Sequence, residues 1–210
     1  MSADYSALVK GAFARLEETG VTDRFDQLSL ARVTDWVELV ATYNRRIDLT
    51  AARDPEELVD LMVADAAVLA ARLGERRGRG VDVGSGAGAP GLPLAILRPA
   101  LHLTLVEPMQ KRCTVLRLAQ SRTKRDNVRV EQKRGEALVG AARYDFAVSR
   151  ATLAPPAWLA LGASLADEVW VLLARLDPPA LSGLRIRDRV DYALPYTGVE
   201  RTMLAYQSER

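Results

Sequence analysis

An apolar run that breaks into closely spaced glycines, Val81-Asp82-Val83-Gly84-Ser85-Gly86-Ala87-Gly88-Ala89-Pro90-Gly91, constrains this chain more than any other segment. It reads as a strand ending in a tight turn. Glycines at 84, 86 and 88 leave the backbone bare where a ligand approaches, and a helix opens near Pro90. The pattern predicts a cradle for a nucleotide-type cofactor. Its glycine spacing fits a dinucleotide or S-adenosylmethionine, so the neighbouring residues have to separate the two.

Asp82 and the two prolines favour S-adenosylmethionine, and Glu107 fits the ribose that both cofactors contain. Asp82 stands two residues before the first glycine, the position favoured by methionine-type cofactors, where it can accept backbone N–H groups and tie down the loop. Pro90 and Pro93 remove amide donors from the first helical turn, which a dinucleotide's pyrophosphate would need. Glu107, 19 residues beyond Gly88, ends the next strand, where a carboxylate can accept hydrogen bonds from both ribose hydroxyls.

The surrounding pattern places these motifs in an α/β fold. Residues 1–75 read as an N-terminal helical extension: Leu8, Phe13 and Leu16 share a face, a second helix starts at Leu28 or Ser29 and carries Val33, Trp36 and Val40, and Asp54-Pro55 opens a third. After the charged, glycine-containing junction at 76–80, short apolar runs alternate with helical ones through 76–210, the cofactor-binding domain of one globular unit. Strands are expected at 81–83, 101–106, 128–131, 144–149 and 168–173, with Tyr192–Leu194 and Met203–Tyr206 as a closing antiparallel pair. The whole is a doubly wound, seven-stranded Rossmann-like sheet with helices on both faces. Ligands in such sheets sit beyond the carboxyl ends of the strands, so Gly84, Glu107, Gly135-Glu136 and Ser149-Arg150 are expected to converge.

Composition removes several function classes. One cysteine, Cys113, and one histidine, His102, offer no zinc cluster and no Cys/His catalytic set, so no metal is expected. With 49% hydrophobic and 27% charged residues and no long uncharged apolar run or secretion signal, the chain reads as a cytoplasmic globular monomer without a membrane partner. Net charge is only +2, yet Gln110 to Arg134 holds nine basic residues against two acidic ones. That excess suits a phosphate backbone, although a solvated helix surface would look the same.

Taken together, Tyr43-Asn44-Arg45-Arg46-Ile47-Asp48-Leu49-Thr50, Asp54-Pro55-Glu56-Glu57, the glycine turn with its Ala89-Pro90-Gly91-Leu92-Pro93 continuation, Lys111-Arg112, Tyr144-Asp145 and Ser149-Arg150-Ala151 resemble the small-subunit ribosomal RNA methyltransferase G family, also called glucose-inhibited division protein B. The resemblance runs through about residues 30–175. It implies a class I methyltransferase that moves a methyl group from S-adenosylmethionine to guanine N7 in the 530 loop of 16S rRNA, on naked RNA or the small ribosomal subunit. Carried over by position, it places cofactor contacts on Gly84, Ala89, Gly135, Glu136 and Arg150, beside Asp82, Gly86, Gly88 and Glu107 from the turn itself.

Guanine N7 carries a lone pair and no proton, so its methylation needs positioning rather than a general base or a covalent nucleophile. Arg150 is the side chain expected at the reacting centre, toward the methionine carboxylate, a phosphate or guanine O6. Tyr43, Asn44, Arg45 and Arg46 combine a ring, an amide and two guanidinium groups suited to single-stranded RNA, and Lys111 and Arg112 extend them; a core-packed Tyr43 with solvated arginines is the other reading. Trp36, Trp158 and Trp170 are expected in the core. The chain departs from the family pattern at Leu61, where a histidine is usual, at Ala64-Asp65-Ala66, where Leu-Asp-Ser is usual, at Asp48, at Ala89 and at Arg175-Leu176. A changed substrate, an RNA-binding scaffold or a dinucleotide-dependent oxidoreductase are the alternatives.

Overall fold

The computed structural model describes residues 3–150, 152–174 and 177–209. Four helical segments precede the sheet: α1 (Tyr5–Glu18), α2 (Gln27–Ile47), α3 (Pro55–Val59) and α4 (Asp65–Leu73), with a π-turn at Asp60–Ala64 joining the last two. Their starts follow from local chemistry. Asp26 accepts the amide of Ser29 at 2.9 Å and caps α2, so that helix begins slightly before the expected Leu28 or Ser29. Asp54 caps α3 by accepting the Glu57 amide, with Pro55 in the first turn.

The sheet strands are β1 (Gly78–Val83), β2 (Leu101–Val106), β3 (Val128–Glu131), β4 (Tyr144–Ser149), β5 (Ala166–Leu173), β6 (Leu184–Ala193) and β7 (Glu200–Ser208). They lie in the order β3-β2-β1-β4-β5-β7-β6. β1 pairs in parallel with both β2 and β4, and β7 runs antiparallel to β5 and β6. Three α-helices connect the parallel strands: α5 (Gly91–Leu97), α6 (Gln110–Thr123) and α7 (Pro155–Leu165). The strand order reverses beside β1, which creates the crevice in which doubly wound sheets bind ligands.

The expected seven strands are present, and the closing pair differs most in extent. β6 and β7 span ten and nine residues, far beyond Tyr192–Leu194 and Met203–Tyr206. β6 is a charged edge strand, rich in Arg and Asp, so it lacks the apolar alternation by which a half-buried strand is recognised.

One core cluster reaches from the N-terminal helices into the sheet, joining Val33, Trp36, Val40, Leu92, Leu103 and Phe146. All three tryptophans are buried as expected. Trp158 donates its indole N–H to the Trp170 carbonyl at 2.8 Å, and Trp170 donates to Glu168 at 2.8 Å. Buried indoles therefore keep their polar handles satisfied.

The π-turn has a specific consequence. At 3.6 residues per turn, residues five apart diverge by about 140° around a helix, whereas i→i+5 bonding returns them toward one face. Asp60 and Asp65 both meet the β6–β7 hairpin. Fully buried Asp60 accepts the amides of Tyr196 and Thr197 at 3.0 and 2.8 Å and the Thr197 hydroxyl at 2.8 Å. Asp65 accepts the Tyr192 hydroxyl at 2.7 Å. Replacing Asp60 with Ala removes the carboxylate that accepts from Tyr196 and Thr197 and holds the hairpin turn. The Asp60→Ala variant is expected to lose roughly 2–4 kcal/mol in urea unfolding and to exchange the Tyr196 and Thr197 amides faster; unchanged exchange would show that Asp60 does not hold the turn.

Candidate cofactor and acceptor site

β1 ends inside the sheet, and the chain must turn sharply there before α5 can cross back. Gly84, Gly86 and Gly88 all have positive φ (76°, 55° and 111°). At Gly84 the space is as restrictive as the backbone, because a Cβ would lie 2.0 Å from the Thr152 hydroxyl. Two amides of the turn, Gly84 and Ser85, donate to the carbonyl of Val106 at the end of β2. Ser149 and Thr152, beyond β4, donate their hydroxyls to the carbonyl of Val83 at 2.7 and 3.1 Å. The ends of β1, β2 and β4 are thereby tied into one rim.

Asp82 sits beneath this rim with no exposed surface. Its Oδ2 accepts the Gly91 amide at 3.1 Å, which fastens the start of α5 to β1, while Oδ1 is buried without a partner among the described residues. Burial pushes its pKa up to about 7, only partly offset by the Gly91 and Ser85 hydrogen bonds and the charge of Arg150. Trp36 braces the turn from the other side by donating its indole N–H to the Ala87 carbonyl at 3.0 Å. Gly88 lies against Trp36, Leu92 and Leu116, so it belongs to the support of the loop rather than to its open face.

Above the rim lies a cavity of about 690 Å³, within the usual range for small-molecule sites. Gly84, Gly86, Ala89, Glu107, Arg112 and Arg150 line it, so six of the residues expected from the sequence do meet there. Glu107 is almost wholly buried and accepts the Gly86 amide on one oxygen (3.0 Å) and the Met109 amide on the other (2.9 Å). Each oxygen keeps a further lone pair. Met109 and Pro108 form an apolar edge beside it, and Met109 is exposed.

Gly135 and Glu136 stand outside the cavity lining. They open a 3₁₀ turn (Gly135–Leu138) after β3, where a Cβ on Gly135 would come within 2.6 Å of Val83 and Glu136 is exposed. Gly135 thus packs against the end of β1 rather than meeting the other expected residues in the cavity.

The second half of the cavity is walled by the helical extension and the distal strands. Leu61 and Asp65 line it together with Leu172, Leu173 and Arg201. Arg150, half-buried at the end of β4, turns toward the extension: Nη1 donates to the Leu61 carbonyl and stands 3.5 Å from Asp65 Oδ2. Burial and the adjacent Asp65 carboxylate push the Tyr192 hydroxyl well above its ordinary pKa, which keeps it a donor.

The Tyr43–Thr50 segment reaches the cavity only at its end. Asp48 takes the left-handed conformation (φ 55°) that ends α2, and Leu49, Thr50 and Ala51 then line the opening. Asn44 Oδ1 accepts the Thr50 amide at 2.8 Å, and the Asp48 carbonyl accepts from Arg112 at 3.2 Å. Tyr43 packs on the core cluster, half-buried, while Arg45, Arg46 and Lys111 are exposed. Arg112 Nε is buried without a partner among the described residues.

The basic run is less uniform than its composition. Arg122 pairs with Asp35 and Glu38 of α2, Arg129 and Lys133 pair with Glu131, and Arg125 is buried with its Nε donating to nearby carbonyls. Lys111, Arg117, Lys124 and Arg134 are exposed. Of the segments carrying the resemblance and its departures, Ala151 and Arg175-Leu176 lie outside the described residues.

Asp65, Thr152 and Tyr192 were not singled out from the sequence as site residues. For Asp65 a signal exists: an acid inside the apolar helix of Leu58 to Leu69 needs a partner from elsewhere in the fold.

A family model described as rRNA small subunit methyltransferase G matches residues 29–161. The chain belongs to this family. Among curated members, the protein of Erwinia tasmaniensis is 37% identical over 70% of this chain and 66% of its own length. That of Xanthomonas axonopodis pv. citri is 34% identical over 80% and 79%, and that of Cronobacter sakazakii 35% over 65% and 64%. The chain thus spans a little under two thirds of the Cronobacter and Erwinia relatives. An O-methyltransferase from Bacillus cereus, solved with SAH, superposes with TM-score 0.64 at 13% identity, covering 96% of this chain and all of that one. At that identity it establishes the family's fold alone: a Rossmann-like methyltransferase sheet.

The buried Asp82 yields a pH prediction. An acid whose folded pKa exceeds its unfolded value of 3.8 binds its proton more tightly when folded. Its contribution is fully present below pH 3.8 and is lost as pH rises through about 7. Urea unfolding should therefore show a component of stability that declines between these values, and Asp82→Asn, which keeps the acceptor for Gly91, should flatten it. A slope identical in the variant would assign the titration to another group.

Proposed function

We propose that this chain transfers a methyl group from S-adenosylmethionine to N7 of a guanine in the 530 loop of 16S rRNA. The observation that carries the reading is the meeting of Gly84, Gly86, Glu107 and Arg150 in one cavity at the sheet's switch point, in a chain of the methyltransferase G family. The residues fit the cofactor. Glu107, held by two amides and retaining lone pairs, suits the ribose hydroxyls, and the bare backbone at Gly84 to Gly86 suits the methionine end. The cofactor supplies a methyl carbon made electrophilic by the sulfonium centre.

The chain's own contribution is placement and shelter. Guanine N7 brings its lone pair and loses no proton, so no side chain has to act as base or nucleophile. Leu61, Leu172 and Leu173 provide apolar wall on the acceptor side, which excludes water from the reacting centre. Arg112 lines the cavity and brings to it a buried N–H without a partner among the described residues, and the exposed Arg45, Arg46 and Lys111, close in sequence to the lining residues Leu49 and Arg112, suit the phosphates of an RNA loop.

Undermethylated small subunits incubated with labelled S-adenosylmethionine should acquire label at one guanine N7 of the 530 loop; label elsewhere or none would sink this reading. Tight calorimetric binding of NAD with none of S-adenosylhomocysteine would point instead to an oxidoreductase. Glu107→Ala should weaken cofactor binding by roughly 1–3 kcal/mol with the fold intact. Reversing the charges of Arg45, Arg46 and Lys111 should weaken RNA binding and lower its salt dependence while cofactor affinity stays the same.

A further inference from the structure

One of the cavity's expected site residues, Arg150, pairs there with an acid that none of the foregoing steps uses. Asp65, its side chain 9% exposed, faces Arg150 at 3.5 Å, and both line the cavity. Each is held from behind. Tyr192 donates to Asp65 Oδ1 at 2.7 Å, and Leu61 presents its carbonyl to Arg150 Nη1. A guanidinium has five N–H donors and a carboxylate about four acceptor sites, so both keep unused capacity after these contacts. The result is a fixed donor beside a fixed acceptor at the wall where the acceptor base must enter.

We propose that Asp65 and Arg150 together read the base to be methylated, and that they select guanine through its O6 and N1–H. Guanine presents an acceptor, O6, next to a donor, N1–H. Arg150 donates to the first and Asp65 accepts from the second. Adenine presents the reverse, an amino donor at position 6 and a bare N1, so it would set a donor against the guanidinium and a lone pair against the carboxylate. Unpaired polar groups of that kind in a closed site are what make hydrogen-bonding pockets selective. Pairing on the O6/N1 edge also leaves N7 uncovered, whereas the familiar arginine fork onto O6 and N7 would occupy the lone pair that has to react.

The helical extension thereby supplies a specificity residue. Asp65 reaches the cavity because the π-turn re-phases the helix that carries it. Tyr192 then fixes which carboxylate oxygen remains for the base.

This inference rests on the acceptor being a guanine, and the experiment separates the two. Ribosomal RNA carrying either guanine or 2,6-diaminopurine at the target position is reconstituted into small subunits and methylated by the wild-type chain. Diaminopurine keeps N7 and the stacking surface while inverting the groups at positions 6 and 1. The wild type is expected to prefer guanine by roughly ten- to a hundredfold. Asp65→Asn should lower the rate on guanine, keep S-adenosylhomocysteine affinity unchanged, and bring the guanine-to-diaminopurine ratio toward one.

Equal rates for the wild type on the two bases would overturn the proposal without any variant, so it stays testable even if the buried substitution impairs folding. An Asp65→Asn chain that loses rate equally on both, preserving the ratio, would reduce Asp65 to a structural role. No label on guanine from the wild type would remove the proposed reaction and this inference together.

Discussion

The turn after β1 is pinned from three directions, and the rest of the site depends on that pinning. Asp82 holds the start of α5 from below through the Gly91 amide, Trp36 holds the Ala87 carbonyl from the side, and the end of β2 accepts the amides of Gly84 and Ser85. A backbone running through three positive-φ glycines gains no stability from its own conformation. External hydrogen bonds therefore decide its shape, and they leave its upper face open as the floor of a cavity. Burying a carboxylate to do this is costly, and the same loss of water raises the pKa of Asp82.

The helical extension is part of the machinery rather than a cover for it. It contributes Trp36 beneath the loop, and Leu49 to Ala51, Leu61 and Asp65 to the lining of the cavity. Its two buried acids do related jobs five residues apart. Asp60 secures the β6–β7 turn, and Asp65 joins Tyr192 of β6 to Arg150 of β4. The π-turn makes this possible because both acids must face the same hairpin. Wide helical turns often mark functional positions, and here the geometric reason is visible.

Much of this architecture is legible from residue patterns. The glycine turn, the acid nineteen residues beyond it and the alternation of apolar runs are short-range features whose physics is local, and they placed Gly84, Glu107 and Arg150 at one end of a parallel sheet. The long β6–β7 hairpin was less legible, because an edge strand exposed to water keeps its charges and loses the hydrophobic period. The composition of the basic run also overstated its exposed charge: Arg122 is drawn to acids on α2, a partner distant in sequence.

The sequence by itself determined the sheet, the cradle and the family, since backbone freedom, helix capping and strand periodicity are written into neighbouring residues. Tertiary structure alone decided which polar groups share a cavity. Gly135 packs against Val83 while Glu136 faces solvent, Asn44 closes a loop, and Asp65, an acid in an apolar helix, meets Arg150 and Tyr192. Such encounters join residues as far as 127 positions apart. They depend on how a helix is phased against a sheet, and a one-residue difference in winding decides whether a carboxylate faces the cavity or turns away from it.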